Sequence, residues 1–566
     1  MIKSCIYFSG IILFVSFLLP PRAFANNQPD EGVILQALEE EMNRSLSDLK
    51  LDIFNPPFFL SYQVKDHQRV KIRATFGAIL KSDSNRFRNL YVETRIGDVQ
   101  SDSAATDLAY FESANYFSLP IENDLDALKR EIWLASDSIY KAAALNYLRK
   151  KGRNIRKIDL ENINDFSTGE KNIYMDKIEA EDQFLENIPH WEDRVRNASA
   201  LFKEHKEITH SRVDFSAQKT IRIYLNSEGT KIVDQETMFG VTISAQAKSE
   251  DGMDLFDRDI INFKNLKNFP QDDLLHKKTL ALIQSLKNLR ESKVIEPYVG
   301  PAILEPDAAG VLFHETIGHR LEGERQRSEG EGKTFKEKIS QLILPDFINI
   351  FDDPTQKKYD DTYLYGTYFY DDEGQKAQKV ELVRNGILKN FLMSRVPIKN
   401  FTGSNGHGRS DGTRDPIARM SNLIIKSNKE VSHKKLKELL LEESKKQNKP
   451  YGLIIKKIRG GETRTSKYNF QVFKGTPIHI YKVYVEDGRE ELVRGAEFVG
   501  TPLTSINKII ATGNDYRVFN GFCGAESGYV PVSSIAPSVL LSEIELQRTA
   551  SKKSKPPILD APALQN

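Results

Sequence analysis

In the stretch "FHETIGHRLEGE", Phe313 to Glu324, two histidines flank a glutamate. Neutral imidazole is a good zinc ligand, and a carboxylate beside it can take a proton from metal-activated water. His314 and His319 are five positions apart, however. On a regular helix that spacing rotates the second side chain about 140° away from the first. For both to face one ion, the helix must carry a π-bulge or stop near Gly318. Without such an irregularity they are two hydrogen-bonded or solvated helix residues. Catalytic zinc usually takes three protein donors plus water, so the pair needs a third. Glu322 and Glu324 are close in sequence, but Cys523 in "NGFCGAESGYVPVS" is the stronger candidate, because thiolate suits zinc. Cys523 can also be read as a buried inert thiol, as a nucleophile with His319 as its base, or as half of an intermolecular disulfide.

Other residues able to do chemistry lie between these motifs. His407, in the glycine-rich "SNGHGRSDG", could donate to a tetrahedral oxyanion or simply sit in an exposed turn. Arg409 beside it could bind a substrate carboxylate through its planar fork, or be solvated. Asp371, Asp372 and Glu373 read as a solvated turn, with a second cation site as the alternative. Gly460 and Gly461 make no phosphate loop, since no G-K-[ST] follows, and without a G-x-S-x-G elbow serine hydrolysis has little support.

The whole chain narrows the classes. Its 566 residues exceed one ordinary core, so two or three domains are expected. With 80 basic and 79 acidic residues the formal charge is +1, too small a field to gather nucleic acid or an anionic membrane. The N-terminus, "MIKSCIYFSGIILFVSFLLPPRAFANN", has Lys3, an apolar run, and Ala23-Phe24-Ala25 before polar residues. That pattern is a secretory signal cut after Ala25, and the run is short for a membrane span. Export to a periplasm or the medium is therefore expected, with no integral membrane span after cleavage. Cys5 would leave with the signal, making Cys523 the only remaining thiol.

The elements that must position these residues read as α+β. A helix is expected over Gly32–Leu49, then three or four strands from Phe58 to Asp98, helices from about Asp124, an antiparallel pair around Ser227-Glu228-Gly229, and an amphipathic helix over Leu274–Ser292. The prolines and glycine of "VIEPYVGPAILEP" mark a boundary. This gives a signal over 1–25, an N-terminal mixed region over 26–296 with a break near 124, a strand-rich and mainly antiparallel domain over 297–548, and a disordered tail over 549–566. In the third segment Asp307 would cap the motif helix, Asn385-Gly386 and Asp487-Gly488 would turn hairpins, and "NKEVSHKKLKELLLEESKKQN" would be one long helix.

The chain resembles the TldD/PmbA family of metallopeptidases. "HETIGHRLEGE" fits the pattern H-E-x-x-G-H-x-L-E-G-[DE] of its metal-bearing members. In matching order follow "YFYDDEGQKAQKVELVRNGILKNFLMSR", "TGSNGHGRSDGTRDPIARMSNLII", "IRGGETRTSKYNFQVF" and "NGFCGAESGYVPVSSIAPSVLLSEIEL". The resemblance covers roughly residues 297–548. It implies one zinc per chain held by His314, His319 and Cys523, with Glu315 as general base or acid. It also implies unstructured peptides as substrates, and a homodimer or a heterodimer with a metal-free paralogue. The rival expectation is a non-catalytic binding or assembly protein with a structural metal. Familiar bacterial members are cytoplasmic, whereas this chain reads as exported, and its half before residue 297 is long for the family.

Overall fold

The structure, a computed structural model, describes residues 31–549 except 52, 105–114, 155–161, 179–184, 186, 468–472 and 501–504, together with 557, 559 and 562. The stretch read as a signal lies outside the described residues, as does most of the tail. No helix among the described residues is long and apolar enough to cross a membrane.

The fold is α+β and strand-rich, with mainly antiparallel sheets. A seven-stranded sheet occupies the N-terminal half. At its centre are three long strands, Phe59–Thr75, Ala78–Arg95 and Ile208–Asn226, with Lys231–Lys248 and Asp254–Phe263 following outward. Where three or four short strands were expected over 58–98, there are two long ones. They turn once, at Phe76-Gly77, where both φ angles are positive. The polar residues that suggested further turns are cross-strand partners: Asp66 faces Arg88 in register and binds both Arg86 and Arg88. Helices Glu31–Asp48 and Leu125–Asn154 cover one part of this sheet. Ile188–Ala200 and Asp272–Glu291 cover another, around Trp191, Phe215 and Phe269.

The chain enters the C-terminal sheets at Lys293–Val294. One sheet has nine strands, with Tyr298–Leu304 paired to both Tyr451–Thr463 and Val539–Arg548. The other has six and ends on the hairpin of Gly528–Ala536 and Arg517–Ala525, the latter at the sheet edge. Asn385 and Gly386, with φ of 48° and 73°, form the hairpin turn expected of them. The long charged segment is helical only over His433–Lys446, because Ser432 takes the N-cap position and accepts from Lys435 N.

Between these two sheets runs the motif helix, Pro306–Thr316, packed on Tyr451–Thr463 from one side and on the hairpin from the other. Asp307 does not cap it. The helix begins one residue earlier, with Pro306 in the first turn, where its fixed φ and missing N–H cost nothing. Val311, Leu312 and Phe313 are buried, each worth about 1.5–3 kcal/mol of transfer free energy. Helix and strand approach closely at Gly310, where an added Cβ would lie 3.3 Å from the Ser534 Cβ.

Candidate metal centre

The motif helix stops at Thr316, and Gly318–Leu321 continue as a 3-10 turn. Of the two irregularities compatible with the spacing, the structure uses the stop rather than the π-bulge. A side chain at Gly318 would displace Met420, whose Sδ lies 2.0 Å from the ideal Cβ position. Arg320 seals the helix end by donating through Nη1 to the carbonyls of Glu315 and Thr316, at 2.8 and 3.2 Å.

The tighter turn brings the two imidazoles face to edge, with ring centroids 5.0 Å apart. Cys523 meets them from the edge strand. Its Sγ is 3.2 Å from His314 Nε2 and 3.4 Å from His319 Nε2, and all three donor atoms lie within 4.8 Å of one another. Tetrahedral zinc bonds of about 2.1 Å to nitrogen and 2.3 Å to sulfur imply donor separations of about 3.5 Å. The donor set therefore fits zinc in chemistry and in size. Among the described residues no fourth donor joins the group.

The electrostatics agree. Burial alone would push the Cys523 thiol up, but His319, His314 and Arg419 bring it well below its ordinary value, which favours the thiolate. Burial would lower both histidines, yet the thiolate raises them, with Glu315 adding to His314 and Glu322 to His319. A divalent cation would take the place of those imidazole protons.

Three carboxylates sit in the motif, in different surroundings. Glu315 is 9% exposed, and its side chain makes no hydrogen bond to a protein group among the described residues. Glu322 is buried against His319 Nδ1 at 3.2 Å and Arg325 Nε at 2.7 Å. Burial would raise it, but His319 and Arg325 hold it at about 2. Glu324 accepts from Ser394 Oγ and, at 3.0 Å, from Ala418 N, and burial pushes it up to about 7. Neither of the last two is placed as a third donor.

His407 and Arg409 are buried and held by protein groups rather than lying in an exposed turn. His407 is fully buried, with Nε2 3.2 Å from Asp352 Oδ1 and Nδ1 3.0 Å from Asn405 Oδ1. Arg409 is buried, donates through Nη1 to the Met420 carbonyl at 2.6 Å and stacks its guanidinium over Tyr368. The reading of Asp371, Asp372 and Glu373 as a solvated turn is also corrected, for Asp371 and Glu373 are 2% and 3% exposed. The two segments fold onto each other. Gly408 N donates to Asp371 Oδ2 at 2.9 Å and Ser410 N to Asp372 Oδ2 at 3.0 Å. The glycines serve this contact: a Cβ at Gly408 would be 2.1 Å from Glu373 Oε2, and one at Gly406 would be 2.3 Å from the Lys376 carbonyl.

A second constellation, Ser285, His479 and Asp257, has the residue types of a hydrolytic triad but not its wiring. The same ring nitrogen of His479, Nε2, is 2.7 Å from Ser285 Oγ and 3.1 Å from Asp257 Oδ2, while Ser285 donates directly to Asp257 at 2.6 Å. The imidazole cannot pass a proton from the hydroxyl to the carboxylate in that arrangement. Sequence reading missed Arg325, Arg419 and Glu526, which frame the donor set. All three stand within or beside its quoted motifs, but nothing local distinguishes a buried cation from a solvated one.

Residues 298–548 match a family model described as the PmbA/TldA metallopeptidase C-terminal domain. A metalloprotease of Methanocaldococcus jannaschii is 29% identical over 315 residues, covering 55% of this chain and 64% of that protein. A protein of Saccharolobus solfataricus named zinc metalloprotease TldD homolog is 27% identical over 250 residues, covering 44% of this chain and 51% of its own length. The matches thus span about half to two thirds of these relatives. The solved structure of TldE from Thermococcus kodakarensis has a TM-score of 0.58 at 15% identity, covering 91% of this chain and 99% of that one, a likeness of fold.

Proposed function

We propose that the chain, whose residues 298–548 match the PmbA/TldA metallopeptidase C-terminal domain, is a zinc-dependent peptidase of that family acting on unstructured peptides or small proteins. One observation carries the reading: the donor atoms of His314, His319 and Cys523 converge within 4.8 Å, and Glu315, next to His314 in the chain, has a side chain that makes no hydrogen bond among the described residues. Zinc at the site would polarise a peptide carbonyl and acidify water. Glu315 takes the proton of the attacking water and returns it to the departing amine, as general base and then acid. Its freedom from protein hydrogen bonds suits that work, whereas Glu322 and Glu324 are already committed. His314, His319 and Cys523 would hold the ion.

Cys523 lies on the edge strand Arg517–Ala525, so an extended peptide could add to that edge, gaining affinity from backbone hydrogen bonds with little sequence preference. We further propose that the protein is exported, to a periplasm or the medium. It would act as a homodimer or with a metal-free paralogue.

The test compares zinc-loaded wild type with Glu315→Gln on an unstructured peptide, followed by mass spectrometry. Equal metal content with cleavage slowed about 10²- to 10⁴-fold is expected. Unchanged function in Glu315→Gln would turn the site into a structural pin, and hydrolysis that survives chelation would transfer the chemistry to the thiol.

A further inference from the structure

Three charged side chains outside the donor set are almost wholly buried and meet one another: Glu322 at 1% exposure, Arg325 at 4% and Arg419 at 0%. Glu322 Oε2 faces His319 Nδ1 and accepts from Arg325 Nε, while its Oε1 lies 3.6 Å from Arg419 Nε. Both arginines also reach the cysteine turn. Arg325 donates through Nη1 and Nη2 to the Glu526 carboxylate at 3.2 and 2.9 Å. Arg419 donates through Nη2 to the Cys523 carbonyl at 2.6 Å, and through Nη1 to Ser527 Oγ at 2.8 Å and the Gly528 carbonyl at 3.1 Å. Arg325 therefore hydrogen-bonds Glu322 at one end, Arg419 makes an ion pair with it without a hydrogen bond, and each arginine's other end reaches the Cys523 strand or the turn that follows it.

We infer that Glu322 is a positioning residue for the donor set, and that Arg325 and Arg419 couple the orientation of His319 to the placement of Cys523. The inference rests on the metallopeptidase reading and deepens it. By accepting the Nδ1 proton, Glu322 selects the tautomer whose lone pair sits on Nε2, the nitrogen that faces Cys523, and makes that nitrogen a better donor. A buried carboxylate needs compensating charge, and the two arginines supply it. Arg325 fixes direction toward Glu322 through its Nε hydrogen bond, and Arg419 fixes direction toward the cysteine strand and the turn after it through its fork, which an ammonium could not do. His319 and Cys523 are 204 residues apart in the chain, so a rigid bridge between their supports would keep the donor separations constant without relying on the intervening fold.

The test is a chelator competition for zinc and cobalt(II), with cobalt absorption spectra, on wild type, Glu322→Gln and Arg419→Lys. Glu322→Gln is expected to bind either metal about 10- to 100-fold more weakly. Its cobalt ligand-field bands should move while the thiolate-to-cobalt charge-transfer band persists, because Cys523 is untouched. Arg419→Lys, which keeps the charge and loses the fork, should weaken binding and shift the charge-transfer band itself. A merely structural role would lower the thermal midpoint of the metal-free variants and leave the affinity and spectra of the folded protein alone, and that result would overturn the inference while the metallopeptidase reading stood. A wild type that retained neither metal would overturn both.

Discussion

Glu315, Glu322 and Glu324 are three like residues in one motif with three different fates, and their surroundings decide which can do chemistry. A general base needs a carboxylate free to reach water rather than one held by protein hydrogen bonds. Glu322 is held at about 2 by His319 and Arg325 against its burial, and Glu324 is tied to Ser394 and to the Ala418 N–H. Glu315 alone is uncommitted. The same reasoning applies to Cys523, whose buried thiolate is tolerable only beside cationic or metal partners. Cys523→Ser should therefore bring metal content from about one zinc per chain to well below it, as read by elemental analysis after removal of loosely held metal. Equal zinc in both proteins would sink the His/His/Cys site. The donors could be picked out of the sequence because their types are scarce, with ten histidines and two cysteines in 566 residues. The supporting arginines could not: Arg325 and Arg419 are two of 80 basic residues, and only the fold shows which are buried.

At the scale of elements, strong local signals were legible and mixed ones were not. The helix over Asp272–Glu291 and the turn at Asn385-Gly386 have periodicity or backbone demands that few alternatives satisfy. Three or four strands are expected between Phe58 and Asp98, and the structure has two, because polar stretches such as "VKDHQRVK" and "SDSNRFRN" lie within strands rather than at turns. In the structure these residues pair across the strands. Asp66 receives Arg86 through Nε and Nη2 at 3.0 and 2.7 Å, and Arg88 through Nε and Nη2 at 2.9 and 2.7 Å, with Arg88 fully buried. Arg88 is tolerable there only because the carboxylate is present. Asp66→Ala should cost about 3–5 kcal/mol in urea unfolding by stranding that cation, and Asp66→Ala combined with Arg88→Met should recover part of the loss. A loss of under about 1 kcal/mol in the single variant would show the hairpin to be held by its apolar face instead.

At the scale of the whole molecule, buried charges join the first sheet to the C-terminal half. Arg222 donates to the carbonyls of Tyr370 and Asp371 at 2.9 and 2.8 Å, and Lys65 pairs with Asp372 at 3.1 Å. Elsewhere Asp257, on the first sheet, receives Lys457 at 2.6 Å and His479 at 3.1 Å from the nine-stranded sheet. Such joints depend on pH in opposite directions. Burial would raise Asp257, but His479 and Lys457 hold it at about 2, and Lys65 and Arg222 do the same for Asp372. Both are depressed below the unfolded value of about 3.9, so their stabilisation is complete above about pH 5 and is lost as pH falls toward 2. Asp371 is pushed up to about 7 by burial, with Asp372 adding to the effect. Its contribution is therefore complete below about pH 4 and is lost as pH rises through 7. Taken by themselves, these three carboxylates stabilise most near pH 4, about the unfolded carboxylate value, where the opposing trends meet. Comparing wild type with Asp257→Asn isolates one joint, because other ionisations cancel in the difference. The variant should be weaker at pH 7, and the gap should narrow by about 2 kcal/mol between pH 6 and pH 2, since a depression of nearly two pKa units is worth that much. A gap that stayed constant across that range would mean that Asp257 joins the halves through shape and neutral hydrogen bonds, and that its charge contributes nothing to holding them together.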